Sequence, residues 1–418
     1  MFTLSLLYVA LTIIRPQDYM PALAGVPLLP VVLILAVLAW MFSRTRTFDA
    51  PQFPLLGLFL LVAMASLVVN HWVGGALEVL RTFGPIVLIF YVLAAGCDSR
   101  RHVTVAMAVF VLSATVLALH SVEQARTGMG WTGALIGEDG RVRYVGIFHD
   151  PNDLGLLFAA TVPMAFFLTR WGGFLGRLFW LAAAVLLLYG IYLTNSRGAL
   201  LAVLVMFGGY IWHRRGVVTA GVLGVLGLTA LKMLSMRMQD LDPDESSAFG
   251  RVDAWYEGIH MFFSHPVLGV GVGNFTDYNQ LTAHNSFVLV LAETGFVGFT
   301  LWLAFVGYGF WMMFAVLRHQ PELSGLAADD WQAERRMALT LLLSLCGMFA
   351  CAFFLSRSYT IILYLVIAMV VGYYVGARRR WPGLKRFRWG ENLPYWLLIS
   401  VVGIILLYVI TTILLMAA

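Results

Sequence analysis

The sequence predicts an all-α polytopic integral membrane protein with about 13 transmembrane helices and two larger loops on the outer side. Of the 418 residues, 61% are hydrophobic and only 12% are charged, whereas soluble domains carry roughly 25% charged residues. The mean hydropathy is +0.85, and the apolar residues form runs long enough to cross a bilayer. This excess of apolar surface excludes a cytosolic enzyme, a nucleic-acid-binding domain and a disordered chain.

Apolar runs divide the chain into 13 predicted spans, since a spanning helix needs about 20 mostly apolar residues. The run at 285–317 is longer, so we expect it to tilt or to project from the bilayer. The first run, from Phe2 to Ile14, lacks a preceding basic segment and a cleavage site, and we interpret it as a retained span. The predicted spans are 2–18, 26–43, 54–70, 83–98, 103–120, 154–170, 175–194, 198–213, 217–235, 285–317, 337–355, 359–377 and 393–415.

The distribution of basic residues predicts the orientation of these spans. With the N terminus inside, the inner loops hold 17 of the 27 Lys and Arg residues but only 7 of the 22 Asp and Glu residues. Every inner loop then obeys the positive-inside rule. We therefore expect one membrane domain over 1–418, with larger outer loops at 121–153 and 236–284. Both loops are rich in Gly, Asn, His and charged residues, which indicates a functional site.

Ten basic residues remain on the outer side, and Arg197 is the most conspicuous. Asn195-Ser196-Arg197-Gly198 interrupts two apolar runs and places a guanidinium at the outer bilayer boundary. A single arginine there is explained by snorkelling to lipid headgroups. Several outward arginines beside two crowded loops favour a shared anionic ligand instead.

The second outer loop combines an amphipathic pattern with a glycine run. Apolar residues from Phe249 to Phe262 recur at three- and four-residue steps, which predicts a short interfacial helix with Ser246 and Ser247 as caps and Arg251 near its start. The segment from Gly269 to Phe275 resembles a phosphate-binding loop only superficially, because it follows no strand and lacks the lysine. We expect its glycines to allow a close approach to a ligand.

Two ionisable residues follow where this loop re-enters the membrane. His284 has the side-chain type whose ordinary pKa, about 6.5, suits base catalysis, although an isolated interfacial histidine is more often structural. Glu293 lies nine residues further along the same helix, about two and a half turns away, so the two residues do not share a face. We expect Glu293 to tie helices together or to pair with a buried arginine.

Metal and disulfide sites are not expected. His149, Asp150 and Asp153 in the first outer loop match no standard zinc or calcium spacing, and carboxylates beside a proline commonly cap a helix. The three cysteines, Cys97, Cys346 and Cys351, lie within or at the ends of apolar runs, which argues against a disulfide framework and a zinc site. The sequence thus predicts neither a metal nor another cofactor.

Five motifs, taken in order, resemble the O-antigen ligase family, which includes lipopolysaccharide O-antigen ligases, O-antigen polymerases and some protein O-glycosylating ligases. They cover about 143–295, while the flanking spans match only in hydropathy. The segment Arg15-Pro16-Gln17-Asp18-Tyr19 also looks like an exosortase-associated branch of O-glycosylation ligases. The motifs are RYVGIFHDPN at 143–152, NSRG at 195–198, Gly250-Arg251 with Trp255, HPVLGVGVGNF at 265–275, and AHNSF at 283–287 followed by Glu293-Thr294-Gly295.

The resemblance implies a glycosyltransferase in the bacterial inner membrane whose site faces the periplasm. Its donor would be a saccharide on undecaprenyl pyrophosphate, and its acceptor a hydroxyl of lipid A–core, of a glycan or of a protein. The basic residues of two motifs fall on Arg197 and Arg251, and the essential histidine falls on His284. Asn152 and Asn285, like Glu293, lie in the matching motifs and are expected to support the site. Family members generally work without a metal, but many carry other residues at positions 149 and 150, whose roles stay open.

These residues suggest a mechanism and leave alternatives. Arg197 and Arg251 would hold the pyrophosphate, with Arg143 or Arg357 as a further contact, because guanidinium grips phosphate oxygens bidentately. His284 would take the proton of the acceptor hydroxyl, and single displacement would invert the anomeric carbon. A transporter or flippase of the same lipid-linked sugar also needs outward arginines, but it usually places polar or broken helices at mid-membrane. A non-catalytic scaffold would leave the histidine unexplained.

Overall fold

The computed structural model describes residues 1–43, 48–239, 246–322 and 324–416, and within these ranges the regular structure is helical, without strands. Arg44 and Arg46, two of the 17 basic residues counted on the inner side, lie outside the described residues. The side chains at 230–249, which include the expected caps Ser246 and Ser247, also lie outside them. The helices are α1 Phe2–Ile14, α2 Leu28–Met41, α3 Gln52–Val69, α4 Val73–Gly96, α5 Arg100–Thr127, α6 Pro151–Leu168, α7 Gly173–Leu193, α8 Arg197–Arg215, α9 Val217–Gln239, α10 Ser246–Ser264, α11 Phe275–Tyr278, α12 Ser286–Arg318, α13 Leu326–Ala352, α14 Ile361–Arg380 and α15 Trp389–Met416.

The all-α polytopic architecture is confirmed, and each of the 13 predicted spans coincides with a helix. Among the described residues, nine helices are long and apolar enough to cross a membrane. The other four predicted spans correspond to α1, α2, α8 and α9, of which α2 and residues 217–229 of α9 form shorter apolar helices. Helix α1 has 13 residues, about 20 Å at 1.5 Å per residue, and a bilayer core is about 30 Å thick. The prediction of 2–18 as one continuous span is therefore wrong, because the helix ends at Ile14.

Helix α5 extends two turns further than the span predicted at 103–120. Polarity suggested an end there, but His120, Ser121 and Gln124 are buried by the following loop. The side chain of Gln124 donates a hydrogen bond to the carbonyl of Ala134 at 2.8 Å and accepts one from the N–H of Arg143 at 2.7 Å. The first outer loop thus begins at about residue 128 and folds back onto the end of α5.

Helix α12 is not one long tilted rod but is interrupted at Gly295, whose φ of 62° and ψ of −163° are non-helical. The glycine run of the second outer loop packs into this break. The N–H of Val270 donates to the carbonyl of Ala292 at 2.9 Å, and that of Gly271 donates to the carbonyl of Glu293 at 3.0 Å. Backbone groups freed within a membrane helix must be satisfied in this way. The glycines therefore allow close approach to α12, and Gly273 also lines a cavity, so the approach to a ligand stays a prediction.

The amphipathic helix predicted in the second outer loop is confirmed as α10. Its apolar residues Trp255, Ile259 and Phe262 are buried, and α10 packs against α12 and α15. The ring of Trp255 meets that of Phe353 edge to face at 5.5 Å. Protein contacts therefore cover the apolar stripe that we expected to lie on the membrane.

Ion pairs connect the basic loops to one another at one end of the bundle. Arg378 and Arg386 both reach Asp49, at 3.0 and 2.6 Å. Arg380 and Arg100 both approach Glu334, at 2.8 and 3.7 Å. These contacts bring the start of α5, the start of α13 and the end of α14 together. The opposite end holds the residues singled out as a candidate site.

Candidate functional site

Helices α6, α8 and α12 all begin at the end of the bundle opposite to the basic loops. Asp150, Ser196 and Asn285 cap them with side-chain oxygens that accept backbone N–H groups. The cap of α8 places Arg197 at its first position, and the cap of α12 directly follows His284. The N terminus of a helix carries partial positive charge and attracts anions.

Arg357, in the segment between α13 and α14, links the start of α6 to the start of α12. Its Nη2 donates to Asp153 at 2.8 Å and to Asp150 at 3.1 Å, and its Nε also donates to Asp153. Its backbone N–H donates to Oγ of Ser286 at 3.0 Å. Arg357, predicted as a possible third donor contact, is thus already paired with two carboxylates. Asp150, whose role was left open, holds Arg357 together with Asp153.

Arg141 links the start of α6 to the start of α8. Its Nη2 donates to Oδ1 of Asn152 at 2.9 Å, and its Nε donates to the carbonyl of Thr194 at 2.9 Å. Gly155 permits this approach, because a Cβ there would lie 2.7 Å from Cβ of Ala199 in α8. Any larger residue would push the two helix ends apart.

The motifs indicated Arg143 as a possible donor contact but gave no reason to select Arg141. In the structure Nη2 of Arg143 faces Asp139 at 3.6 Å, while Arg141 reaches Asn152. The two arginines are two residues apart in a segment without a helix, so no pattern in the sequence distinguishes them. Only the position of α8 selects Arg141.

Arg197 and Arg251 are close enough to repel each other electrostatically. Burial lowers the pKa of Arg251, and Arg197 lowers it further, while Asp150 acts in the opposite direction. Among the residues that the structure describes, neither arginine has a carboxylate within salt-bridge distance. Two neighbouring cations without a paired anion form a site that an anionic ligand would stabilise.

His284 lies beside this cluster, immediately before α12. It is half-buried, with a left-handed backbone φ of 47°. Burial lowers the pKa of its imidazole, Arg251 and Arg357 lower it further, and Asp150 raises it. The imidazole is therefore neutral near pH 7, which is the form that accepts a proton.

Glu293 lines a cavity of about 340 Å³ on the α12 side of Arg357. Its Oε1 accepts the backbone N–H of Gly273 at 3.0 Å. Of the two expected roles, Glu293 thus ties the glycine run to α12, and among the described residues it forms no salt bridge with an arginine. Thr82, Phe83, Thr282, Leu289 and Tyr359 contribute to the same cavity. This mixture of hydroxyl and aromatic groups suits a polar ligand with an apolar face.

The histidine and carboxylates of the first outer loop do not form a metal-binding group. His149 is exposed, while Asp150 and Asp153 bind Arg357. Over the described ranges, no three His, Cys, Asp or Glu side chains are arranged to hold a metal ion.

The fold is that of a multi-pass membrane protein. Its candidate site places several arginine side chains and one neutral histidine near the capped N termini of α6, α8 and α12. Residues 182–303 match the family model described as O-antigen ligase. The resemblance drawn from the motifs is thereby confirmed for this region, and it supports a ligase- or polymerase-type glycosyltransferase activity in general. The matched region includes Arg197, Arg251, His284 and Glu293.

No curated protein matches the chain.

Proposed function

We propose that the protein transfers a saccharide from undecaprenyl pyrophosphate to an acceptor hydroxyl at the periplasmic face of the bacterial inner membrane. The observation that carries this proposal is the pair of neighbouring, unpaired arginines, Arg197 and Arg251, beside a neutral His284. A diphosphate supplies the missing negative charge, and two guanidinium groups hold it with charge-assisted hydrogen bonds.

The transfer proceeds by single displacement. The acceptor oxygen attacks the anomeric carbon while His284 takes its proton, and the bond from that carbon to the diphosphate oxygen breaks. The diphosphate leaves with the bonding electron pair, and Arg197 and Arg251 stabilise its growing charge. In this proposal the guanidinium groups provide the neutralisation that a metal ion would otherwise give.

Arg357 is a positioning residue in this mechanism rather than a direct donor contact. Its ion pairs with Asp150 and Asp153 fix the start of α6 against α12. The cavity beside it, which Glu293 and Thr282 also line, is the proposed entry for the acceptor. The chemical nature of the acceptor would then depend on the shape of this cavity and of the surrounding loops.

Transport of the same lipid-linked sugar is the competing function. The interruption of α12 at Gly295 is a feature shared with transporters, whose broken helices hold the cargo. Here, however, the backbone of the glycine run fills the break. Product formation in detergent, where no gradient exists, supports the transferase, whereas movement of the donor across vesicles without product supports the transporter.

The donor-binding role predicts separate losses for the two unpaired arginines. In purified, reconstituted protein, Arg197→Ala and Arg251→Ala should each weaken binding of a defined undecaprenyl-pyrophosphate glycan about tenfold to 100-fold, since a hydrogen bond to a charged group contributes about 1.5–3 kcal/mol. Arg126→Ala removes an exposed arginine from the end of α5 and serves as the control. Unchanged donor affinity in both cluster variants would contradict the proposal.

The pH dependence of transfer should move in opposite directions for two neighbours of His284. Activity requires the neutral imidazole, so it should fall as the pH drops through the lowered pKa of His284, below 6.5. Asp150→Asn removes an influence that raises this pKa and should move the acidic limb to lower pH. Arg251→Gln removes one that lowers it and should move the limb to higher pH. Profiles of kcat that shift in the same direction for both variants would exclude His284 as the base.

A further inference from the structure

A second cavity, of about 980 Å³, lies between α6, α8 and α13 at the end opposite to the candidate site. The starts of α6 and α8 hold Asn152 and Arg197, whereas this cavity lies where those helices end. Helix α6 has 18 residues, about 27 Å at 1.5 Å per residue. The cavity is therefore separate from the site of the proposed transfer.

Basic side chains surround the mouth of this cavity. Arg214 and Arg335 interact electrostatically with His213, and Arg170 interacts with Arg336. Over the described part of the chain, none of these arginines forms a salt bridge. The buried Nε of Arg335 has no hydrogen-bond partner there either.

Several other arginines at the same end are paired, and those that lack a salt bridge among the described residues, such as the exposed Arg101 and Arg318, do not line the cavity. Arg100, Arg378 and Arg380 bind Asp330, Asp49 and Glu334 at 2.8 to 3.0 Å. The fold thus pairs the arginines around α14 with carboxylates. At the cavity, Asp329 acts electrostatically on Arg336 but forms no salt bridge with it in the described part of the chain. An anion from outside the chain would stabilise these unpaired positive charges.

Each helix that lines the cavity becomes apolar away from this mouth. Arg170 lies two residues beyond the end of α6, and Phe166 and Val162 follow it inward on that helix, four residues apart and on one face. On α8, Arg214 is followed inward by Tyr210 and Phe207, at steps of four and three residues on one face. Phe166, Tyr210 and Phe207 are each more than 40% exposed. The apolar part of the cavity wall, away from the basic mouth, is therefore open to the membrane.

We propose that this cavity binds the headgroup of an anionic phospholipid from the leaflet on the basic side, with its acyl chains along the apolar wall. A basic pocket between membrane helices on the cytoplasmic side has the charge that such headgroups need. The acyl chains of a lipid would cover the apolar part of the cavity wall. A free phosphate ion would leave that surface uncovered, which favours a lipid as the ligand. The positive-inside rule assigns this mouth to the cytoplasmic leaflet.

Native mass spectrometry of the full chain, titrated with phosphatidylglycerol or phosphatidylcholine, tests this site. Arg170→Gln with Arg335→Gln should weaken phosphatidylglycerol binding roughly 30-fold, since each basic residue contributes about 1 kcal/mol to anionic-lipid attraction. The matched control, Arg101→Gln with Arg318→Gln, removes two exposed charges at the same end but outside the cavity. It should retain the affinity of the parent protein.

A second variant separates binding from folding. Arg170→Lys with Arg335→Lys keeps the charges and should retain most phosphatidylglycerol binding. Equal losses in the cavity pair and the control pair would overturn the proposal, as would equal affinity for phosphatidylcholine. Complete displacement of the lipid by inorganic phosphate would also overturn it and indicate a simple anion site.

Discussion

Replacing His284 with alanine should reduce transfer about 10²- to 10⁴-fold while leaving donor binding intact. The imidazole is the proposed proton acceptor, and a positioned general base contributes a factor of this size. Arg197 and Arg251 remain in place in the variant, so the affinity for the pyrophosphate should change little. Single-turnover transfer and equilibrium donor binding, measured on the same reconstituted protein, distinguish the two effects.

A second substitution controls for the backbone at this position. His284 has a φ of 47°, a conformation that asparagine tolerates better than alanine. His284→Asn should therefore fold as well as the parent protein and still lose transfer. His260→Ala removes an exposed histidine whose Nδ1 lies 2.9 Å from the carbonyl of Tyr256 in its own helix and should stay active. Normal transfer by His284→Asn would remove the base from the mechanism.

Substituting Arg357 with glutamine should destabilise the protein by about 3–5 kcal/mol. The side chain of Asp153 is only 12% exposed, and breaking a buried ion pair leaves such a charge uncompensated. Transfer should fall as well, because the start of α6 is no longer fixed against α12. Unfolding in mixed detergent micelles measures the loss of stability.

Two comparisons identify the cause of this loss. Arg388→Gln breaks a pair with Glu391 in which both side chains are about 60% exposed, and it should cost only about 0–1 kcal/mol. The double variant Arg357→Gln with Asp153→Asn no longer has an uncompensated carboxylate at position 153. It should recover part of the lost free energy of unfolding. Equal losses for Arg357→Gln and Arg388→Gln would show that the pair with Asp153 contributes no more than a surface contact.

The spans, their order and the amphipathic α10 could be predicted because each depends on local hydropathy and periodicity. The ends of α1 and α5 could not. The polar side chain of Gln124 suggested that α5 ends before it. In the fold this side chain is hydrogen-bonded to the following loop, whose position the sequence does not reveal, and the helix continues. Similarly, the run at 285–317 gave no sign that the glycine loop would fill a break at Gly295.

The candidate site was predicted in part. Arg197, Arg251 and His284 stand out in short motifs, and the structure brings them together. The pairing of Arg357 with Asp153 joins residues 204 positions apart, and no spacing rule connects them. The choice of Arg141 over Arg143 likewise depends on Thr194, which α7 and α8 position.

By itself, the sequence determined that the chain is a bundle of membrane helices with its basic loops on one side, because hydropathy and charge act residue by residue along the chain. It also determined which motifs carry the arginines and the histidine. Only the tertiary structure decided which cations are paired and which are free, because pairing depends on contacts between helices that are distant in the sequence. Among the described residues, Arg197 and Arg251 at one end and Arg170 and Arg335 at the other are left without a salt bridge.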